Sequence, residues 1–251
     1  MAEEKTTRKR VALVTGGARG IGAAISEGLS QAGYDVAIGY SSRRETAEAV
    51  ANGLAAAGRT ISIHQGNVGV PEDCERVVNE VIERHGAIDV LVNNAGITVD
   101  KTVRRMSIED WHAVLRVNLS GNFYMTKMVL EQMIGSGFGR IINISSLVAQ
   151  TGAIGQANYA ASKSGLFGFS KSLALEVALK GVTVNVVAPG AIATEMLSAV
   201  PQPVLDGMLE KIPVRRFGTG RDIARAVVFL ADDEASYITG QIISVNGGWE
   251  M

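Results

Sequence analysis

At 251 residues and 47% hydrophobic composition, the chain can bury a full core and lies within the size of a single α/β domain. Its 24 basic and 25 acidic side chains leave a formal net charge of -1, which excludes an overall field drawing it to nucleic acid or to an anionic membrane. One cysteine, Cys74, excludes an internal disulfide, and no apolar run approaches the roughly 18 residues that span a bilayer, so a soluble protein of the reducing cytoplasm is expected.

Met1 to Arg10 is polar, with no secretory apolar stretch after it, and reads as a flexible arm. From residue 11 to 251 short apolar runs alternate with helical patterns, the signature of repeated βαβ units in one domain. The expected fold is a doubly wound α/β fold: a seven-stranded parallel sheet with helices on both faces. Strands are expected at Val11 to Thr15, Asp35 to Gly39, Thr60 to Gln65, Asp89 to Asn93, Arg140 to Ser145, Val182 to Ala188 and Gln241 to Val245. Helical stretches include Gly22 to Ala32, Arg44 to Ala57, Glu72 to His85 and Asn158 to Lys180, several closed by a glycine. Cys74 falls early in the third of these, as a packed thiol. Pro189 to Gly218 is the one long irregular region, with Met196, Leu197, Val200, Leu205 and Met208 in it, and reads as a substrate lid.

The first expected strand runs into Thr15-Gly16-Gly17-Ala18-Arg19-Gly20-Ile21-Gly22, followed by a helix. Glycines there let the chain turn sharply and bring N–H groups to a pyrophosphate, which the helix N-terminus also attracts. An acid at the end of the second strand would hold the ribose 2′-hydroxyl of NAD, and none is present. The segment Gly39-Tyr40-Ser41-Ser42-Arg43-Arg44, with Arg19, instead offers hydroxyls and guanidinium groups to a 2′-phosphate, so NADPH is expected.

Tyr159 and Lys163 stand four apart in a helical segment and share one face. A ketone under reduction needs a proton on its oxygen, and an ammonium beside a tyrosine, whose pKa is ordinarily near 10, makes it a better donor. The strand ahead ends in Ser145-Ser146 at the carboxyl edge of the sheet, and alternation allows only one of the two hydroxyls to face the site without choosing which.

These pieces, with Asn93-Asn94-Ala95-Gly96, Asn118, Pro189-Gly190 and the tail Tyr237-Ile238-Thr239-Gly240 to Asn246-Gly247-Gly248, resemble the short-chain dehydrogenase/reductase family over nearly the whole chain. Within it the chain is most similar to 3-oxoacyl-carrier-protein reductases and acetoacetyl-CoA reductases. The resemblance implies a Rossmann fold, an NADPH-dependent reduction of a 3-oxoacyl thioester, and a homotetramer. It selects Ser146, thirteen residues before Tyr159, to hold the carbonyl. Tyr159 then donates the proton, Lys163 lowers its pKa and binds the nicotinamide ribose, Asn118 steadies a water relay, and Gln156 joins the substrate site. For the cofactor it implies Gly16, Arg19, Gly20, Ile21 and Gly22 at the pyrophosphate, Ser41 and Arg43 at the 2′-phosphate, and Asn67 and Val68 around the adenine. Asn94, Ala95 and Gly96 take its middle, and Pro189, Gly190 and Ile192 its nicotinamide, Ile192 through its backbone. Asn67 replaces the aspartate that many relatives carry.

Whether the thioester rides on acyl carrier protein or on CoA stays open. Carrier-protein reductases tend to carry bases on the two helices beside the entrance, and here Gly135 to Gly139 has none while Lys180 remains. Acetoacetyl-CoA reductases often have an aromatic residue after Pro-Gly, where this chain has Ala191. A family reductase of a sugar, steroid or secondary alcohol is the alternative, and an NADPH sensor without activity is disfavoured by the presence of Tyr159 and Lys163. His64, His85 and His112 show no metal-ligand spacing, and neither serine sits in a hydrolase G-x-S-x-G elbow.

Overall fold

A computed structural model of the chain describes residues 8–56, 58–193 and 202–251. It contains one seven-stranded parallel sheet in the order β3-β2-β1-β4-β5-β6-β7. The strands are β1 (Val11–Val14), β2 (Asp35–Tyr40), β3 (Ile61–Gln65), β4 (Val90–Asn93), β5 (Gly139–Ile144), β6 (Val182–Pro189) and β7 (Ile242–Val245). Each lies within a residue of its expected place. The helices are α1 (Gly20–Gln31), α2 (Arg44–Ala55), α3 (Pro71–His85), α4 (Ile108–Leu115), α5 (Gly121–Ser136), α6 (Val148–Thr151), α7 (Ala157–Val177), α8 (Gln202–Lys211) and α9 (Gly220–Ala231). A π-helical turn, Arg116–Ser120, joins α4 to α5.

Strand side chains alternate between two apolar layers. Ala12, Val14, Val36, Ile38, Val92 and Ile142 pack on Ile25 and Leu29 of α1 and Ile223, Val227 and Leu230 of α9. Val11, Leu13, Leu91, Ile141 and Val184 pack on Val77 and Val81 of α3, Met125 and Val129 of α5, and Leu173 and Val177 of α7. Cys74 is buried in the second layer, where desolvation pushes its thiol up to about 11, so it remains protonated and inert at neutral pH. Helix ends follow local chemistry: α3 starts with Pro71 and two acids and stops at Gly86 (φ 86°), and α4 and α9 open with the capping boxes Ser107/Asp110 and Thr219/Asp222.

At the start of the chain Arg8 and Arg10 reach the buried Asp89 at 2.7 and 3.5 Å, and the Arg10 guanidinium covers the Phe138 ring. Of the expected lid, Met196, Leu197 and Val200 lie outside the described residues. The remainder is not irregular throughout, because residues 202–211 form α8, with Leu205 and Met208 half-buried.

After β3 the chain returns to the middle of the sheet, so β4 lies on the other side of β1 from β2. This is the switch point at which open α/β sheets leave a crevice beyond the carboxyl ends of their strands. The loops after β1, β4, β5 and β6 all begin there.

Candidate active site

The loop after β1 folds tightly onto α1. Gly16 has φ +63°, and a Cβ on Gly22 would stand 2.1 Å from the Gly16 carbonyl oxygen, so only glycine fits where the helix begins. No side chain caps α1 at Arg19, which leaves its first N–H groups without a side-chain acceptor. Asn94 locks this cradle from the side. Its amide donates to the Thr15 and Gly16 carbonyls at 2.9 and 3.2 Å, and the N–H groups of Asn94 and Ala95 both donate to the Thr15 hydroxyl. Both amide hydrogens of Asn94 thus serve the loop, leaving its amide oxygen and the exposed Gly96 for a ligand. Thr15 had no spacing to mark it as the anchor of two loops, because its partners lie some eighty positions away.

At the far end of the crevice Ser41 and Arg43 follow β2, and Arg43 holds a left-handed conformation (φ 58°) at the N-terminus of α2. Arg19 and Arg43 are exposed, and among the described residues neither side chain makes a hydrogen bond or ion pair. Arg44 differs, being paired with Glu48 at 2.7 Å. Asn67 uses its side-chain oxygen to accept from Gly69, and its own N–H donates to Asp73, which presents Val68 as a half-buried wall. On the opposite side Pro189 ends β6, Gly190 passes within contact of Asn246, and Ile192 bridges to Gly218. That bridge is made by the Ala193 and Gly218 N–H groups, so among the described residues the N–H and carbonyl of Ile192 itself stay uncommitted.

The two serines divide as alternation requires. Ser145 is 3% exposed and its hydroxyl donates to the Lys163 carbonyl at 2.9 Å, holding α7 to the sheet. Ser146 is half-buried, accepts from the Val148 N–H at 3.2 Å, and its hydroxyl acts on the Tyr159 phenol. Tyr159 and Lys163 share one face of α7, with Nζ 5.9 Å from the ring centroid. Lys163 is 3% exposed and donates to the Ile144 carbonyl at 2.7 Å, and burial lowers its pKa to about 8. The Tyr159 pKa is raised, first by desolvation and then by the Asp100 carboxylate, against a downward pull from Ser146.

Asn118 lies in the π-helical turn, fully buried. It binds the Ile97 N–H and carbonyl at 2.8 and 2.9 Å and donates to the Ser162 hydroxyl at 3.2 Å, while Ser162 donates to the Tyr159 carbonyl at 2.8 Å. Its side chain is thus a brace between the β4 loop and α7. Ser162 was not foreseen, since its only mark is position next to Lys163. Gln156 reaches across to Asp100 at 2.9 Å rather than lying free in the mouth. Thirteen residues separate Ser146 from Tyr159 in sequence, yet they, Lys163 and the loops of β1, β4 and β6 converge on one edge.

Residues 16–250 match the family described as Enoyl-(Acyl carrier protein) reductase. A protein of Staphylococcus epidermidis named 3-oxoacyl-[acyl-carrier-protein] reductase FabG is 46% identical over 240 residues, covering 96% of this chain and 98% of that one. One of the same name from Escherichia coli is 47% identical over 242 residues, with the same shares covered. An acetoacetyl-CoA reductase of Shinella zoogloeoides is 50% identical over 240 residues, covering 95% and 98%. With a family match over nearly its full length and relatives about half identical to it, the chain belongs to the short-chain dehydrogenase/reductase family of oxidoreductases.

Proposed function

We propose that this protein reduces the ketone of a 3-oxoacyl thioester to the 3-hydroxyacyl thioester with NADPH. The observation that carries the reading is the Tyr159 hydroxyl beside Ser146, with the buried Lys163 on the same helix face, at a glycine-lined crevice flanked by two arginines that have no side-chain partner among the described residues. Relatives near half identity are named for 3-oxoacyl-carrier-protein and acetoacetyl-CoA reduction, which supplies the substrate class.

The residues fit a phosphorylated dinucleotide. Gly22 leaves room for a pyrophosphate at the N-terminus of α1, which no side chain caps, and the exposed Arg19 and Arg43 would receive a 2′-phosphate. The only acid of β2, Asp35, is at the opposite end of the strand, accepting from the Thr60 N–H. Asn67 and Val68 would border the adenine, Asn94, Ala95 and Gly96 the centre, and the N–H of Ile192 the nicotinamide carboxamide. When bound, the cofactor supplies hydride to the ketone carbon.

The rest is done by the chain. Ser146 donates a hydrogen bond that holds the ketone oxygen, and Tyr159 delivers the proton as negative charge develops there. Lys163, charged below about pH 8, stabilises the tyrosinate left behind. Asn118 keeps α7 and the β4 loop in register so that these groups meet. Neighbouring hydroxyls on Ser146 and Tyr159 suit a carbonyl oxygen, which accepts hydrogen bonds, better than the carbon–carbon double bond in the family's description. The apolar face of α5 and α7, with Phe123 and Leu175 exposed, suits assembly into a homotetramer. Among the described residues no helix is long and apolar enough to cross a membrane, in keeping with a cytoplasmic enzyme.

Steady-state NADPH oxidation with acetoacetyl-CoA and with acetoacetyl carrier protein tests the reading. Turnover of either is expected. Turnover of enoyl thioesters alone, or of unrelated ketones alone, would replace it.

A further inference from the structure

Two of the chain's three histidines meet on a single hydroxyl, in the seam between β3 and α3. Ser62 and His64 stand two apart in β3, so alternation turns both toward α3, while Ile61 and Ile63 pack into the opposite apolar layer with Val50 and Leu54 of α2. The Ser62 hydroxyl lies 2.8 Å from His64 Nε2 and 2.7 Å from His85 Nε2, and His64 Nδ1 lies 3.0 Å from a Glu80 carboxylate oxygen. Ser62 is 4% and His64 6% exposed, so the seam is closed to water. The other Glu80 oxygen accepts from Arg76, Arg76 also donates to Asp73, and Asp73 accepts from the Asn67 N–H. One run of hydrogen bonds thus joins the end of α3 to the wall formed by Asn67 and Val68.

The hydrogens in this run can be placed by counting donors. Against the upward push of desolvation, hydrogen bonds from His64 and Arg76 hold the Glu80 carboxyl below its ordinary value, so it only accepts. His64 Nδ1 therefore carries a hydrogen, and in the neutral ring Nε2 accepts from Ser62. Having given its one hydrogen, the hydroxyl accepts from His85, whose proton is then on Nε2. With His64 charged, both its nitrogens donate, the hydroxyl turns to His85, and the His85 proton moves to Nδ1. With both rings charged, two N–H groups point at one oxygen and the Ser62 hydrogen has no acceptor among the described residues, a buried donor left unpaired beside two cations.

The surrounding charges favour His64 as the site of the proton. Glu80 touches it directly, with Arg76 behind, and β2 sets only Gly39 and Ala37 opposite His64 and Ser62. Burial pushes the His85 pKa down, with the Asp35 carboxylate at the start of β2 opposing and Arg84 and His64 adding to the fall.

We propose that His64 and His85 form a one-proton switch on Ser62: the closed seam takes a single proton, on the imidazole beside Glu80, reversing the hydroxyl and the His85 tautomer, and edge strand β3 opens in acid ahead of the rest of the sheet. The switch stands on the seam alone and needs no bound nucleotide. Once the seam is open, both rings charge near the ordinary histidine value of about 6.5, so below about pH 6 opening takes up one proton more than the closed seam holds. Stability of the seam is therefore lost as pH falls, and opening becomes about tenfold easier per pH unit.

Nitrogen NMR of the imidazole rings in the ligand-free wild type, with the exposed His112 as reference, reads the switch directly. At pH 8 the proton is expected on Nδ1 of His64 and Nε2 of His85. At pH 5 His64 is expected to be charged and His85 neutral, with its proton on Nδ1. Two charged rings at pH 5, or charge on His85 alone, overturns the proposal. Hydrogen exchange gives a second reading: from pH 6 to pH 5 the protection factors of β3 amides are expected to fall about tenfold more than those of β4. In His85→Gln, whose amide N–H still serves Ser62 but cannot be charged, that excess is expected to vanish. An equal fall in both strands of the wild type, or the same excess in the glutamine variant, also overturns the switch. Should the variant not fold, the wild-type spectra and exchange decide.

Discussion

Burying Lys163 in the ligand-free protein costs stability, and replacing it makes that cost measurable. Desolvation alone brings its pKa from 10.5 to about 8. At 1.36 kcal/mol per pH unit, holding the ammonium inside costs about 3 kcal/mol at neutral pH. Lys163→Met keeps a similar unbranched volume and removes the charge, but leaves the Ile144 carbonyl without its donor, a loss of about 1 kcal/mol or more. The variant is therefore expected to be about 1 to 2 kcal/mol more stable than the wild type at pH 7, although without activity. The pH dependence has a definite sign. The folded pKa lies below the unfolded one, so between about pH 8 and 10 the unfolded chain binds more protons and the wild type gains stability as pH rises. Below pH 8 the penalty is complete. Urea unfolding without cofactor at pH 7 and pH 9.5 is expected to show the advantage of the methionine shrinking by about 2 kcal/mol. A variant less stable than the wild type at pH 7, or a gap that does not move with pH, would refute the reasoning.

Tyr159→Phe removes only the proton donor, so kcat is expected to fall by roughly 10² or more while NADPH affinity, read by fluorescence titration, is kept; retention of a tenth of kcat with chemistry rate-limiting sinks the assignment. Ser146→Ala is expected to follow the tyrosine variant in kcat. Ser145→Ala instead is expected to cost about 1 kcal/mol in unfolding through the lost bond to Lys163, with kcat nearly intact; the reverse ranking would exchange the roles of the serines. Arg19→Ala/Arg43→Ala is expected to raise KM for NADPH at least tenfold and that for NADH little, since each charge-assisted bond to phosphate is worth roughly 1.5–3 kcal/mol; an unchanged cofactor preference removes both from the 2′-phosphate.

Local order was legible in the chain because strands and helices repeat every two and every 3.6 residues. The seven apolar runs, the glycine loop between β1 and α1, and the four-residue step from Tyr159 to Lys163 depend on neighbours in sequence and could be read without a fold. Helix α8 escaped because Leu205, Met208 and Leu209 recur at helical spacing over only ten residues between a proline and a loop, with none of them fully buried, too short a stretch for the period to declare itself. Which serine faces Tyr159 was open to alternation alone. It was decided when α7 came to lie against the end of β5 and took the Ser145 hydroxyl on its backbone. The grip of Asn94 on the Gly16 loop, the brace from Asn118 through Ser162 to Tyr159, and the clasp of Gln156 on Asp100 likewise join positions far apart in the chain. The pKa of Lys163 belongs with them, because desolvation is a property of everything packed around a group, and only the closed tertiary structure removes the water.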